Sequence, residues 1–330
     1  MDSIGSLSEN STMQLQQRGR FGWRGLLALS LSLAIVSSAF AAAPLEKLRV
    51  VATIPDLAQL ATEIGGEHVE VRSLSKGTEN LHAVHVRPSM LIALSKADLF
   101  LEMGLSLEAA WLPELLQKSR NEAIRPGAEG FQNCSEGWAA IGVPAELSRR
   151  EGDVHPGGNP HFNLDPLGGA HLAAKVHAAL VRVDPTHKPD YDRGLKRWSE
   201  DLARAEKRWA PIAAKLKGRK VAVYHTEYDY LAARLGMKLA ASIEPKPGVP
   251  PTPGDIARIV KTMKAEKVEV ILTAAWSNNR QVADIARKTG AKVVELPNQV
   301  KGAAWASTWI ELMDGVHSRL ALAYGIEADK

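Results

Sequence analysis

Three histidines in this chain of 330 residues stand where an imidazole could bind a metal ion. His82 and His161 lie in turn-rich segments, and His225 closes an apolar run. Imidazole is the commonest side-chain ligand for transition metals, and ligands drawn from distant segments suggest an ion held between two lobes. A lone histidine beside an apolar run is more often packed or solvated, so the prediction depends on the three together. The sequence predicts a metal site formed by His82, His161 and His225.

Their surroundings distinguish these three from most of the ten histidines in the chain. Five others lie among ordinary helical or charged residues, where an imidazole is usually a packed or surface group. We predict no metal-binding role for these five, which are His68, His171, His177, His187 and His317.

The segments that must position the histidines alternate between predicted strands and helices. In the first half, the patterns predict strands at 48–54, 68–74 and 97–102 and helices at 57–64 and 89–96. In the second half, they predict strands at 219–224, 238–243, 268–273 and 292–296 and helices at 230–235, 254–266, 279–289 and 308–324. His82 and His225 both follow predicted strands. Residues 120–160 carry no long periodic element and are predicted to form a loop.

The longest periodic segment runs from Pro189 to Leu216, where apolar residues recur at intervals of three and four. This spacing predicts a helix roughly 40 Å long. A helix longer than one lobe can act as a rigid strut between two lobes. The alternative is a core helix that belongs to the second lobe alone.

Strands that alternate with helices predict an α/β fold, and the chain is too long for a single core of the usual size. We therefore expect two lobes, each a mostly parallel sheet with helices on both faces, joined by the long rigid helix. The predicted boundaries are a first metal-binding lobe at 45–186, the connecting helix at 187–217 and a second metal-binding lobe at 218–330. Ligands of such sheets bind beyond the carboxyl ends of the strands.

The amino-terminal segment has the order of a secretory signal peptide. Three arginines precede an apolar run at Leu26–Val36, and small residues follow up to Ala41. The run is too short for a permanent membrane span, which needs about 20 residues. We predict a signal peptide over residues 1–41 and a periplasmic protein, with Met13 as an alternative start to Met1.

Composition restricts the partners of the mature chain. Removal of the signal peptide takes away three arginines and two acidic residues and lowers the net charge from +4 to +3. The basic residues are scattered, so nucleic acid is not an expected partner. The only cysteine, Cys134, lies outside the signal segment, so we expect neither a lipid anchor nor an internal disulfide. We expect a monomer.

The motifs around the three histidines resemble those of the zinc- and manganese-binding solute-binding proteins of ABC importers, also called cluster A-I or cluster 9. The resemblance covers essentially the whole mature chain. It rests on His82-x5-Pro88-Ser89 with the segments Ala93–Asp98 and Gly104–Glu108, on Asn159–Pro166, on Val221–Leu231 and on the proline-rich segment Glu244–Gly254. The resemblance implies a receptor that captures a divalent metal in the cleft between its lobes and delivers it to an ABC permease in the inner membrane.

The chain departs from the family pattern at the fourth ligand, which is usually an aspartate after the strand that corresponds to 292–296. Here residues 297–302 contain no carboxylate, and Ala274–Trp276 replaces an acidic residue often found there. The candidates for the fourth ligand are water, Asn298, His155, Glu227 and Glu244. His85 replaces an acidic residue that often follows the first ligand, and we expect at most a supporting role for it.

The chemistry of the ligands favours zinc. Zn²⁺ accepts tetrahedral nitrogen ligation, whereas Mn²⁺ prefers more carboxylate oxygen, so a histidine-only set predicts Zn²⁺ with Mn²⁺ as the alternative ion.

A periplasmic zinc hydrolase with water at an open fourth position is the alternative function. The chain has no His-Glu-x-x-His helix and no Gly-x-Ser-x-Gly turn, so we predict a receptor and not an enzyme. An adhesin is a third alternative, which the expected lack of a lipid anchor disfavours.

Overall fold

Two parallel sheets of four strands each form the framework of the computed structural model. The structure describes residues 46–144, 155–244 and 248–327, so the predicted signal peptide lies outside the described residues. The strands are β1 (Leu48–Ala52), β2 (Val69–Ser73), β3 (Leu99–Glu102), β4 (Phe131–Asn133), β5 (Lys220–Val223), β6 (Lys238–Ser242), β7 (Val270–Thr273) and β8 (Lys292–Glu295). The order is β2-β1-β3-β4 in the first sheet and β6-β5-β7-β8 in the second, so the second lobe repeats the topology of the first.

Helices connect the strands and cover both faces of each sheet. They are α1 (Pro55–Gly65), α2 (Pro88–Ser95), α3 (Leu112–Ser119), α4 (Pro166–Val183), α5 (Lys188–Leu216), α6 (Asp229–Arg234), α7 (Pro253–Ala265), α8 (Asn279–Thr289) and α9 (Trp309–Ala323). Local sequence fixes several of their starts. The Asp165 carboxylate accepts a hydrogen bond from the Leu167 N–H at the start of α4, and Thr308 caps α9 in the same way. Such caps satisfy donors that a helix leaves unpaired at its amino end.

One hydrophobic core runs through both lobes. Val50 and Ala52 of β1 and Val221 and Val223 of β5 point into it, because alternate residues of a strand face opposite sides of a sheet. Val51 and Ala222, which lie between the two residues of each pair, point instead into smaller cores on the outer faces of their lobes. The two sheets are therefore packed around shared apolar side chains.

The long helix α5 is the axis of the shared core. It packs against α1 and α4, which cover the first sheet, and against α9, which covers the second. The two-lobe α/β fold with a long connecting helix is thus confirmed, and the alternative of a helix confined to the second lobe is wrong. Among the described residues, none of the helices combines the length and the apolar character that a membrane crossing requires.

The structure contains elements that the sequence patterns do not predict. The segment predicted as a loop includes β4, which completes the first sheet but has only three residues. Helix α4 has Gly168 and Gly169 in its first turn, and glycine lowers helix propensity. Tertiary contacts explain the helix, because Gly168 approaches the Phe162 carbonyl and Gly169 lies against the ring of Trp309.

Close packing of α5 on α1 gives a first prediction. A β-carbon at Gly194 would lie 2.3 Å from the Ile64 carbonyl oxygen. Gly194→Ala should therefore lower the free energy of unfolding by about 1–3 kcal/mol, because this overlap outweighs the helix-propensity gain of about 1 kcal/mol. Urea unfolding followed by circular dichroism measures the change. Gly254→Ala in α7 is the control, since its β-carbon would meet nothing closer than 3.8 Å. Equal effects of the two substitutions would contradict the close packing.

Candidate metal centre

His82 lies in the loop between β2 and α2. The sequence pattern predicts that His82 comes just after a strand. In the structure it lies nine residues after Ser73, the last residue of β2. The Trp111 indole N–H donates a hydrogen bond of 2.9 Å to the carbonyl of Leu81, the residue before His82. The Arg87 guanidinium donates one of 2.5 Å to the Leu74 carbonyl at the other end of the loop. These contacts fix the loop, and the His82 ring is partly buried.

His161 precedes a short 3₁₀ turn that leads into α4, and it is almost fully buried. Its backbone N–H donates to the side-chain oxygen of Asn159 at 2.9 Å. The Asn159 amide nitrogen donates in turn to the Thr226 carbonyl at 2.9 Å, and the Tyr230 hydroxyl donates to the Asn159 carbonyl at 2.9 Å. Asn159 therefore joins the segment that carries His161 to the segment that carries His225.

His225 follows β5 in the second sheet, and Glu244 follows the neighbouring strand β6. Because carboxyl ends of adjacent parallel strands meet at one edge of the sheet, the two side chains lie together. His225 Nδ1 is 2.6 Å from Glu244 Oε2, and both residues are buried. This contact engages Nδ1 and leaves Nε2 as the ring atom available to a metal. A carboxylate behind a metal-binding imidazole commonly fixes the tautomer and the ring orientation.

The three predicted histidines converge. One ring nitrogen from each of His82, His161 and His225 lies within 4.8 Å of the other two, and the His82 and His161 Nε2 atoms are 3.1 Å apart. Nitrogens at about 2.0–2.1 Å from a tetrahedral zinc ion are about 3.3 Å from one another. The rings therefore need only small displacements to hold such an ion.

Burial keeps two of these imidazoles neutral. Desolvation, with smaller contributions from His225 and His155, lowers the pKa of His82 to about 3. Desolvation and the neighbouring imidazoles also lower the pKa of His161 well below its usual value. A neutral imidazole carries the lone pair that a metal requires, so both rings are ready to bind at neutral pH.

The environment of His225 is more acidic. Burial by itself would lower the pKa of His225, but the hydrogen bond to Glu244 and the charges of Glu227 and Asp229 raise it above its usual value. Glu227 is fully buried, and neither carboxylate oxygen has a hydrogen-bond partner among the described residues. Desolvation raises the pKa of Glu227 to about 7. Negative charge is thus concentrated on the His225 side of the centre.

The candidates for a fourth ligand occupy different places. Glu244 holds His225 Nδ1, and Glu227 interacts electrostatically with His225. Asn298 is buried and accepts a hydrogen bond of 2.9 Å from the Asn163 side chain at its backbone carbonyl. His155 lies beside His82, with 5.1 Å between the ring centroids. Trp276, part of the segment that replaces a family carboxylate, lies beside His225 at 5.8 Å between ring centroids.

The histidines for which no role is predicted lie apart from this group. Their ring nitrogens contact other atoms of the fold: Asp190 for His68, the Cys134 carbonyl for His171, Asp192 for His177, Asp184 for His187 and the Met313 carbonyl for His317. His85 is exposed.

The sequence analysis does not single out one buried polar group, Asp56, which is linked to the His161 segment through Asn163. Asp56, at the start of α1, accepts hydrogen bonds of 3.0 Å from the Asn163 side chain and 3.0 Å from the Val300 N–H. The Trp309 indole donates to the Asn163 carbonyl at 2.8 Å. Desolvation raises the pKa of Asp56 to about 6. The position of Asp56 in the first turn of the helix that follows β1 is the sequence signal that would have indicated it.

Comparison with known proteins identifies the family. A family model for the periplasmic zinc-uptake complex component A, ZnuA, matches residues 50–323. The high-affinity zinc uptake system protein ZnuA of Bacillus subtilis (strain 168) is 23% identical over 265 residues, which cover 78% of this chain and 80% of that protein. The manganese ABC transporter substrate-binding lipoprotein PsaA of Streptococcus anginosus is 24% identical over 253 residues, 75% of this chain and 79% of that protein.

A solved structure agrees with this assignment at the level of the fold. A crystal structure of ZnuA superposes with a TM-score of 0.70 at 22% identity and covers 84% of this chain and 99% of that one. The family match extends over both sheets and over the segments of all three histidines. The chain therefore belongs to the periplasmic zinc-uptake complex component A family, whose members are metal-binding substrate-binding proteins of ABC transporters and not enzymes.

Proposed function

We propose that this protein captures Zn²⁺ between its lobes through His82, His161 and His225 and delivers the ion to an ABC permease. The observation that carries the proposal is the convergence of three ring nitrogens within 4.8 Å of one another. Low pKa values keep two of the rings neutral, and a carboxylate orients the third. Neutral, oriented imidazoles at this spacing suit a transition-metal ion.

Zinc is the ion that this set of ligands favours over manganese. Mn²⁺ prefers sites rich in carboxylate oxygen, whereas Zn²⁺ is stable with nitrogen ligands alone. The relatives named above include proteins for zinc and for manganese, so family membership leaves both ions open. The preference for Zn²⁺ rests on the ligand chemistry of this chain.

Delivery requires that the ion leave a site that the fold holds together. We expect a small closure of the lobes on capture, docking on the permease, and release when the permease draws one ligand away. The shared core around α5 opposes a wide opening of the lobes.

The location and assembly of the protein complete the proposal. Family members are periplasmic or extracellular receptors, and we propose a periplasmic monomer exported by a cleaved signal peptide. A relative from Streptococcus is named a lipoprotein. The only cysteine of this sequence, Cys134, is buried in the first lobe.

Single substitutions test the ligands. His82→Ala, His161→Ala and His225→Ala should each lower Zn²⁺ affinity by well over tenfold, since loss of a direct ligand exceeds the effects of about 10–100-fold seen for residues behind ligands. Competition titration with a chelating dye measures the change. His171→Ala is the control, because His171 bonds the Cys134 carbonyl instead of the centre. An effect at His171 as large as that at His161 would refute the proposed ligand set.

The protonation of His225 predicts the pH dependence of binding. His82 and His161 are already neutral, so the metal displaces a proton chiefly from His225, whose pKa is raised. Zn²⁺ affinity should fall about tenfold per pH unit below that pKa, with about one proton released per ion. Calorimetry at pH 6 in buffers of different ionisation enthalpy counts the protons. Release of three protons, or of none, would contradict this description of the centre.

Glu244 should support binding without contacting the ion. Glu244→Gln removes the negative charge that faces His225 Nδ1, so Zn²⁺ affinity should fall by about 10–100-fold. Glu295→Gln is the control, because Glu295 is an exposed carboxylate at the end of β8. Equal affinities of the two variants would show that Glu244 has no part in binding.

A further inference from the structure

A fourth imidazole lies beside His82, one of the three that converge. The ring centroids of His82 and His155 are 5.1 Å apart, the same separation as those of His82 and His161. The His82 and His225 centroids are 5.2 Å apart, so His82 has three imidazole neighbours at nearly equal distance. His85, by contrast, is close to His82 in sequence but exposed.

The backbone holds His155 in a turn that leads to His161. The Gly158 N–H donates to the His155 carbonyl at 3.0 Å, and the Asn159 N–H donates to the Ile141 carbonyl at 2.8 Å. Gly158 has a φ of +98°, and a β-carbon there would lie 2.7 Å from Ala140. Only glycine fits this close, left-handed turn, so the chain is directed from His155 back toward His161.

We infer that His155 is the fourth ligand, so that the transported ion is held by four imidazoles and no carboxylate. The inference rests on the proposed function and adds the ligand that its three histidines lack. It also gives the chain a ligand set that differs from the one its family resemblance implies, in which a carboxylate follows the last strand of the second sheet.

Position distinguishes His155 from Glu244. The His155 ring lies beside the His82 ring, with 5.1 Å between the centroids, and both residues line one cavity. Glu244 instead contacts His225 Nδ1 at 2.6 Å, behind the ring whose Nε2 is available to a metal. His155 lies outside the group of three whose ligand atoms are within 4.8 Å of one another, so its ring must turn toward the ion on binding.

A cavity marks the solvent side of this arrangement. It has a volume of about 310 Å³, and His82 and His155 both line it. The rest of its wall is formed by Ser106, Leu107, Ala109, Ala110 and Pro156, none of which carries a charge. An ion that enters through this cavity therefore meets two imidazoles as its first strong ligands.

Four neutral ligands should make the centre selective. They leave the full charge of the ion to be balanced from outside the ligand set, and the buried Glu244 behind His225 is placed to do so. Nitrogen-only ligation suits Zn²⁺ in a tetrahedral site and offers Mn²⁺ none of the oxygen donors that it prefers. The four-imidazole centre should thus reject Mn²⁺ more strongly than a centre with one carboxylate.

The test compares His155→Ala with the control His85→Ala in the full mature chain. X-ray absorption of the Zn²⁺-loaded protein should count four imidazoles in the native protein and in His85→Ala but three in His155→Ala. The tetrahedral Co²⁺ visible spectrum should change only in His155→Ala. Zn²⁺ affinity should fall more than tenfold in His155→Ala and stay unchanged in His85→Ala. Unfolding by urea should be the same for the metal-free proteins, which shows that both variants fold.

His155→Asp adds a second arm to the experiment. It restores a carboxylate to the ligand set, so it should raise Mn²⁺ affinity relative to Zn²⁺ when the native protein is the reference. Three imidazoles in the native protein, together with a His155→Ala variant that matches His85→Ala, would overturn the inference and leave the three-histidine receptor intact. A native protein that binds neither Zn²⁺ nor Co²⁺ would instead overturn the proposed function.

Discussion

Polar groups buried where the two lobes meet must find their hydrogen-bond partners across that boundary. The Asp56 carboxylate of the first lobe pairs with the Val300 N–H of the second, and the Asn159 amide pairs with the Thr226 carbonyl. A buried polar group left without a partner costs about 1–3 kcal/mol, so separating the lobes would incur this cost several times. The requirement holds the segments of His161 and His225 in fixed relation, so the fold itself positions their imidazoles.

Backbone contact at the same boundary limits the motion available to the lobes. A β-carbon at Gly77 would lie 2.1 Å from the carbonyl carbon of Lys301, and one at Gly302 would lie 2.7 Å from the Gly77 carbonyl oxygen. The loop that carries His82 is therefore packed directly on the loop after β8. With the core shared around α5, this contact favours a small closure and local movement of a ligand-bearing segment over a wide rotation of a whole lobe.

Sequence periodicity predicted most of the fold because strands such as β5 and helices such as α5 bury one face of a regular repeat. It failed at α4, where Gly168 and Gly169 obscure the helix, and at β4, which is too short to show a period. Motifs were sufficient to identify the histidines that converge, since each follows a recognisable local pattern. The pairing of Glu244 with His225 depends on which strands are neighbours, and the bonds of Asp56 depend on the meeting of the lobes, so neither can be deduced from local sequence.

The dispersal of the histidines along the chain has a consequence for how the protein acquires its ion. His82 follows the second strand of the first sheet, whereas His225 follows the first strand of the second sheet, so no fragment that lacks either lobe contains the centre. An unfolded or half-synthesised chain presents only isolated imidazoles, which bind metals weakly. With the proposed ligands, ion capture follows the folding of both lobes, and the compartment in which the chain completes its fold determines which metals it can meet first.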